Sequence, residues 1–339
     1  MMNQKFLNAL NRTPQNTPPI WFMRQAGRYH AHYQNLKSKH TFDQLCKNPD
    51  LASEVAMGPI QDFDFDVAIL FSDILYPLEA LGMGLTYTEH GPRLGFQLDE
   101  NNFSQLKKVD EAFPFMNFQK EAMKLTREKL PQDKSLIGFV GGPWTLFVYA
   151  VEGSHAGSLI QSKKNLNLFY KFSEMIEQFL TKNIEMQFAG GADIVMIFDT
   201  AAGEVSPTFF KNYLQPVISR LVNKFPYKLG YYSKGTQNSF FNSEFKSLPL
   251  AGQGYDHRCF LPDILKDNKR GFVQGNFDQS LLHMENSDFK KMLLIYINEM
   301  KELTVEQRAG WVSGLGHGVL PKTPERNVKE FVEIIRKEF

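Results

Sequence analysis

The chain has 339 residues, with 38 Lys+Arg against 37 Asp+Glu and a formal net charge of +1. That balance argues against a strongly basic nucleic-acid binder and against an acidic tail protein, though a local basic patch is compatible with it. Hydrophobic residues at 42% and charged residues at 22% describe a folded globular protein and exclude disorder by composition; the two cysteines, Cys46 and Cys259, cannot form a disulfide framework and indicate a reducing compartment.

Taken from the N-terminus, MMNQKFLNALN lacks a sustained apolar core, so no secretory signal is expected. Short apolar runs follow at 18–23 (PPIWFM), 67–73 (VAILFSD), 136–141 (LIGFVG) and 193–199 (DIVMIFD). Weaker ones lie at 227–233, 249–255, 271–277 and 309–315. The most apolar window, 136–153, is long enough for a membrane span, but Gly141-Gly142-Pro143 breaks it, which reads as buried strand, turn and helix start. Over 165–189, Leu168, Phe172, Met175, Ile176, Phe179 and Leu180 share one helical stripe that Gly190-Gly191 terminates. Eight strands alternating with helices predict parallel βα units. A (β/α)8 barrel fits the count and the length, and a doubly wound open sheet is the structural competitor. No linker, repeat or low-complexity tract divides the chain, so a single domain over 1–339 is expected.

In a barrel the chemistry gathers at the C-terminal ends of the strands. After the first comes RQAGRY, with Arg24 and Arg28 flanking Gly27. Two guanidiniums on such a loop suit bidentate capture of carboxylate or phosphate, although an ordinary surface pair on a helix has the same spacing. The second strand ends in FSDIL. Asp73, inside an apolar run, is either an anion placed for N–H donors or a developing cation, or the cap of the next helix, a role Ser72 could equally fill. Tyr149 follows the third strand and reads as a cleft hydroxyl or a core tyrosine. Thr200 follows the fourth beside Ala201, Ala202 and Gly203, which leave room for a ligand; capping is its plainer reading. His317, between Gly316 and Gly318, is a candidate hydrogen-bond donor or proton carrier. The glycines there do not form the dinucleotide motif, and phosphate-loop and H-E-x-x-H motifs are missing. GSHAG at 153–157 lacks the central serine of a nucleophile elbow, and His257-x-Cys259 is at most half of a zinc site.

Together PPIWFMRQAGRY, FSDIL, GGPWTL with YAVEG, GGAD with FDT-x-AG, VQGN and GHGVLPKTPERNV resemble the uroporphyrinogen decarboxylase family, from about residue 5 to the C-terminus. The resemblance implies a homodimeric, cytoplasmic (β/α)8 barrel that needs no metal or organic cofactor and converts uroporphyrinogen III to coproporphyrinogen III. It further implies Arg24, Arg28, Asp73, Tyr149 and His317 as catalytic residues. The segment Arg24-Gln25-Ala26-Gly27-Arg28 binds substrate in this reading, with Asp73, Tyr149, His317 and Thr200, the last where the family usually has Ser. A further cleft Arg of some members falls at Lys37. Three departures stand out: His30-Ala31-His32-Tyr33 for a Leu-Pro-Glu-Tyr-like motif, Asp256-His257 for Asp-Trp, and Asp278-Gln279 for Asp-Pro. Asp73 is expected to bind the pyrrole N–H groups and stabilise a cationic ring, Arg24 and Arg28 to hold carboxylates, and the proton donor stays open between Arg24 and Asp73. The competing functions are a zinc- and corrinoid-dependent methyltransferase of the same superfamily and a catalytically silent tetrapyrrole binder.

Overall fold

The computed structural model describes residues 2–89, 91–155 and 157–339. In chain order its strands are β1 (Val67–Ile69), β2 (Leu85–Thr88), β3 (Gly91–Leu94), β4 (Ser135–Gly141), β5 (Ile194–Phe198), β6 (Leu229–Tyr232), β7 (Gly252–Gly254), β8 (Phe272–Phe277) and β9 (Trp311–Leu315). All but β2 and β3 join one curled parallel sheet in the sequential order β1-β4-β5-β6-β7-β8-β9. Sequential order excludes the doubly wound alternative, in which the order reverses at a switch point.

The run at 18–23 contributes a single bridge instead of a full strand. Ile20 pairs in parallel with Ser313 of β9, through Trp21 N–H to the Ser313 carbonyl at 3.3 Å and Ser313 N–H to the Pro19 carbonyl at 2.9 Å. Pro18 and Pro19 have no N–H to donate, so the ladder cannot lengthen. On its other side Ile20 accepts from the Asp66 N–H at 3.0 Å and donates to Asp66 Oδ2 at 2.9 Å. This segment thus bridges the two edges of the sheet and is the eighth stave of a (β/α)8 barrel.

Burial separates two main apolar regions, with a small third cluster of Tyr33, Leu36, Leu45 and Val55. Trp21, Val67, Ile137, Ile194, Met196, Phe272 and Val312 pack together inside the barrel, with Phe6 and Ala9 of the helix Gln4–Asn11 packed against them. A second, larger core lies between the strands and the surrounding helices. The helix Leu166–Ala189 carries the predicted stripe into it and ends at Gly190. The apolar window at 136–153 is β4 followed by the helix Pro143–Glu152, with Pro143 at the first helical position. Among the described residues no helix is long and apolar enough to cross a membrane. The β2–β3 hairpin has no counterpart in the predicted alternation, because its strands are short and only half-buried.

Asp66 is 2% exposed and its Oδ1 meets Lys5 Nζ at 2.7 Å, with Arg336 also close. Asp66→Ala strands the Ile20 N–H and two cations. It should cost about 3 kcal/mol, measured as a shift of the urea unfolding midpoint; an unchanged midpoint would mean that closure does not depend on this carboxylate.

Candidate active site

The loop after Ile20 turns tightly, with Gln25 N–H donating to the Phe22 carbonyl and His30 N–H to the Gly27 carbonyl. Gln25 is buried; its side chain accepts from Phe22 N–H at 3.3 Å and donates to the Val67 carbonyl at 3.1 Å. It therefore ties the loop to β1, while Ala26 and Gly27 remain partly open to solvent. Arg24 and Arg28 are both exposed, and Arg24 holds a left-handed backbone with φ of 57°. A side chain at position 318 would collide with the Arg24 stem, so Gly318 is the residue that lets Arg24 lie across the last strand's loop. Arg28 lies farther out, where its charge acts on Tyr33, and Lys37 is exposed at the end of the helix Ala31–Lys37.

Asp73 stands beyond the end of β1. Its Oδ1 accepts from Leu75 N–H at 2.8 Å, a local turn ahead of the short helix Tyr76–Leu78, whose cap position is Leu75 itself, so Asp73 is not the helix cap. Ser72 is not that cap: its hydroxyl accepts from Gln119 at 2.8 Å, the first link of a buried Gln119–Asn183–Gln187 amide chain. Burial pushes the Asp73 carboxyl up, while the Leu75 N–H, the Tyr87 hydroxyl and the Arg24 charge pull it back. Tyr87 comes from the unpredicted hairpin, and its hydroxyl is buried without a well-formed hydrogen bond. Nothing in the sequence pattern connects it to Asp73.

Tyr149 projects from the helix after β4. Its hydroxyl lies 2.5 Å from His155 Nδ1. Burial pushes the phenol up to about 12; Asp73 adds to this and Arg24 opposes it. His155 belongs to GSHAG, a motif whose Ala156 lies outside the described residues. Thr200 opens the turn Thr200–Glu204 after β5 and is half-buried. Its hydroxyl caps no helix, contrary to the plainer reading.

The group that organises this side is Asp199, fully buried and absent from the predicted site. Its Oδ1 accepts from Thr145 N–H at 2.9 Å and Thr145 Oγ1 at 2.6 Å, and its Oδ2 from the Tyr231 hydroxyl at 3.3 Å. Thr145 Oγ1 in turn accepts from Ala201 N–H at 3.0 Å. One carboxylate thereby joins the helix bearing Tyr149, the turn bearing Thr200 and strand β6. It sits against Gly142, where a Cβ would occupy its place. A lone Asp at the end of Ile-Val-Met-Ile-Phe was the available signal.

His317 follows β9, and its Nδ1 lies 3.0 Å from the Tyr232 hydroxyl, which also reaches the Gly316 carbonyl at 2.8 Å. Burial first, then the charges of Arg24 and Lys234 and the nearby His155 and His257, hold its pKa down to about 3. His317 is therefore held as a neutral, hydrogen-bonding imidazole near pH 7. Asp73, Tyr149 and His317 each feel the Arg24 charge, and Tyr149 also feels Asp73, whereas Arg28 and Lys37 are exposed farther out.

The departures from the expected motifs are internally accommodated. His30 Nε2 meets Asp62 Oδ2 at 2.7 Å, and His32 packs on Gly58. Asp256 accepts from Gly235 N–H at 2.5 Å and from Arg258 at 2.6 Å. His257 Nε2 stands 4.0 Å from Asp278. Cys259 donates to the Thr236 carbonyl at 3.3 Å, and burial pushes its thiol up to about 12. Among the described residues no three His, Cys, Asp or Glu side chains converge as a metal site would require.

Fold and site together define a (β/α)8-barrel enzyme with a cationic mouth around one central carboxylate, suited to an anionic substrate. The model of the uroporphyrinogen decarboxylase family matches residues 1–338, and the chain belongs to that family. It is 33% identical to the uroporphyrinogen decarboxylase of Orientia tsutsugamushi (strain Ikeda) over 98% of each chain. It is 30% identical to that of Thermus thermophilus over 99% of this chain and 98% of the relative. Among solved structures, a methyltransferase from Methanosarcina mazei superposes with a TM-score of 0.73 at 19% identity, covering 99% of this chain and 98% of the other, which is a likeness of fold.

Complete burial raises the Asp199 carboxyl to about 6, against hydrogen bonds from Thr145 and Tyr231. An acid raised on folding contributes stability that is fully present below its unfolded value and lost as pH rises through its folded one. From about pH 4 to about pH 7 the wild type should lose about 2 kcal/mol relative to Asp199→Asn, which cannot ionise. Urea unfolding of both proteins across that range checks this, and parallel pH profiles would contradict it.

Proposed function

We propose that the chain catalyses the cofactor-independent decarboxylation of the four acetate side chains of uroporphyrinogen III, giving coproporphyrinogen III and CO2 in haem biosynthesis. The observation that carries this reading is the gathering of Arg24, Asp73, Tyr149 and His317 at the barrel mouth of a chain belonging to this family. The active unit in this proposal is one barrel over 1–339, assembled as a cytoplasmic homodimer; sedimentation that finds only monomer would remove the dimer.

Loss of CO2 leaves an electron pair that needs an acceptor, and the pyrrole ring itself can serve. Protonation of a ring α-carbon makes the ring cationic. The bond from the acetate CH2 to its carboxylate then breaks, CO2 departs, and the pair neutralises the ring as an exocyclic methylene. A proton added at that carbon gives the methyl group, and loss of the α-carbon proton restores the pyrrole. Each round consumes one proton and one carboxylate.

Asp73 accepts the pyrrole N–H groups and stabilises the cationic ring. Its half-buried position and raised carboxyl support this role, because a carboxylate shielded from bulk water acts with less screening. The Leu75 N–H engages only one of its oxygens, and the other faces the Tyr87 hydroxyl and the substrate. Arg24 and Arg28 hold substrate carboxylates, with the Ala26 and Gly27 backbone between them and Lys37 at the margin. Tyr149, Thr200 and the neutral His317 supply further polar contacts. The methyltransferase alternative draws no support from Cys259, whose raised thiol is engaged with the Thr236 carbonyl.

Anaerobic incubation with chemically reduced uroporphyrinogen III, followed by oxidation and separation by carboxylate number, should give the series from seven carboxylates down to four. Asp73→Asn should lower kcat by about 10²–10³, and near-normal turnover would refute the role of Asp73. Gly318→Ala, which displaces the Arg24 stem, should lower kcat/KM roughly 10-fold or more with little change in the unfolding midpoint. Unchanged kinetics would separate Arg24 from the reaction.

A further inference from the structure

Beyond the groups already assigned, the barrel mouth holds a further permanent cation. Lys234 lies just past the end of β6, two residues after Tyr232, and is half-buried. The turn that carries it is stiffly held. Ser233 Oγ lies 2.6 Å from Thr236 Oγ1, and Gly235 N–H donates to the fully buried Asp256 at 2.5 Å. The Lys234 backbone also rests against Gly203 of the turn that begins at Thr200. The side chain therefore leaves a fixed base on the same face as Thr200 and His317.

Among the described residues the Lys234 ammonium has no carboxylate partner, although Lys5, Lys47, Lys134 and Lys224 are all ion-paired. A half-buried lysine facing neutral imidazoles is poorly compensated unless an anion arrives. Those imidazoles are His155 and His317, both of which feel the Lys234 charge; the exposed Glu204 also acts on His155, but among the described residues it makes no ion pair with Lys234. Asp73 is already opposed by Arg24 on its own side.

We propose that Lys234 is a binding residue for a second carboxylate of the polycarboxylate substrate, distinct from those held by Arg24 and Arg28. This rests on the decarboxylase reading and extends it. A lysine ammonium is a mobile point charge on a flexible stem, so it can follow a carboxylate as the ring system reorients between successive losses of CO2. Lys234 thus contributes chiefly to holding substrate and little to the bond-breaking step.

The test compares wild type, Lys234→Gln and Lys234→Arg in the anaerobic uroporphyrinogen assay. A second readout titrates each protein with coproporphyrin, a stable tetracarboxylate porphyrin, by fluorescence at two salt concentrations. Lys234→Gln should raise KM and the coproporphyrin Kd about 10-fold, keep kcat within about 3-fold, and weaken the salt dependence of binding. Lys234→Arg, which keeps the charge, should recover most of the affinity. Unchanged Kd and KM in a folded Lys234→Gln protein would overturn the assignment, as would equal loss in the Gln and Arg variants. Should the wild type itself leave uroporphyrinogen intact, the decarboxylase reading fails first, while coproporphyrin binding still decides whether Lys234 holds a carboxylate.

Discussion

Everything at the active face depends on how the barrel closes. Parallel strands from Val67 to Leu315 form a curled sheet with two edges, and the segment around Ile20 bridges them. The prolines at 18 and 19 keep this stave short, so closure depends on a few backbone bonds and on the Asp66 carboxylate behind them. The consequence is positional. The first stave sits beside the last, and the loop it feeds, with Arg24, lies across the loop carrying His317 and Gly318. An open sheet would hold these two loops at opposite ends.

Inside the mouth, two carboxylates are set apart by what surrounds them. Asp199 is wholly enclosed and spends its acceptor capacity on Thr145 and Tyr231; it is a positioning group that never meets solvent. Asp73 has one oxygen committed to Leu75 and is opposed by Arg24. The cations divide in a similar way. His317 is kept neutral by burial and by neighbouring positive charge, so the fixed charge is carried by Arg24 and Lys234. A reaction that loses a carboxylate in each round needs such an arrangement: permanent charge to retain a changing anion, and a neutral imidazole that binds without competing for protons.

The unusual residues in the family motifs show how local substitutions are absorbed. His32 fits because Gly58 faces it, and His30 finds Asp62 one helix away. His257 lies near Asp278, so this departure faces an unchanged motif residue at the neighbouring strand end. None of these partners is close in sequence, and each pair is intelligible only when both members are seen.

Much of this protein could be read from its sequence. All eight staves fall in the predicted apolar runs, because strands buried on both faces must be continuously apolar. The helix over 165–189 was legible for the complementary reason, a stripe with period 3.6 and a glycine stop. Arg24, Asp73 and His317 were legible as candidates because a polar residue at the close of an apolar run is conspicuous, whereas Tyr149 lies within the helix Pro143–Glu152. Tertiary structure alone decided the rest. It turned Gln25 inward, moved Ser72 from a cap to an amide network, and brought Tyr87 and Asp199 to the site. Periodicity reports which face of an element is buried, a local property. Hydrogen-bond partners and pKa values depend on which distant side chains share that burial, and only the closed barrel determines them.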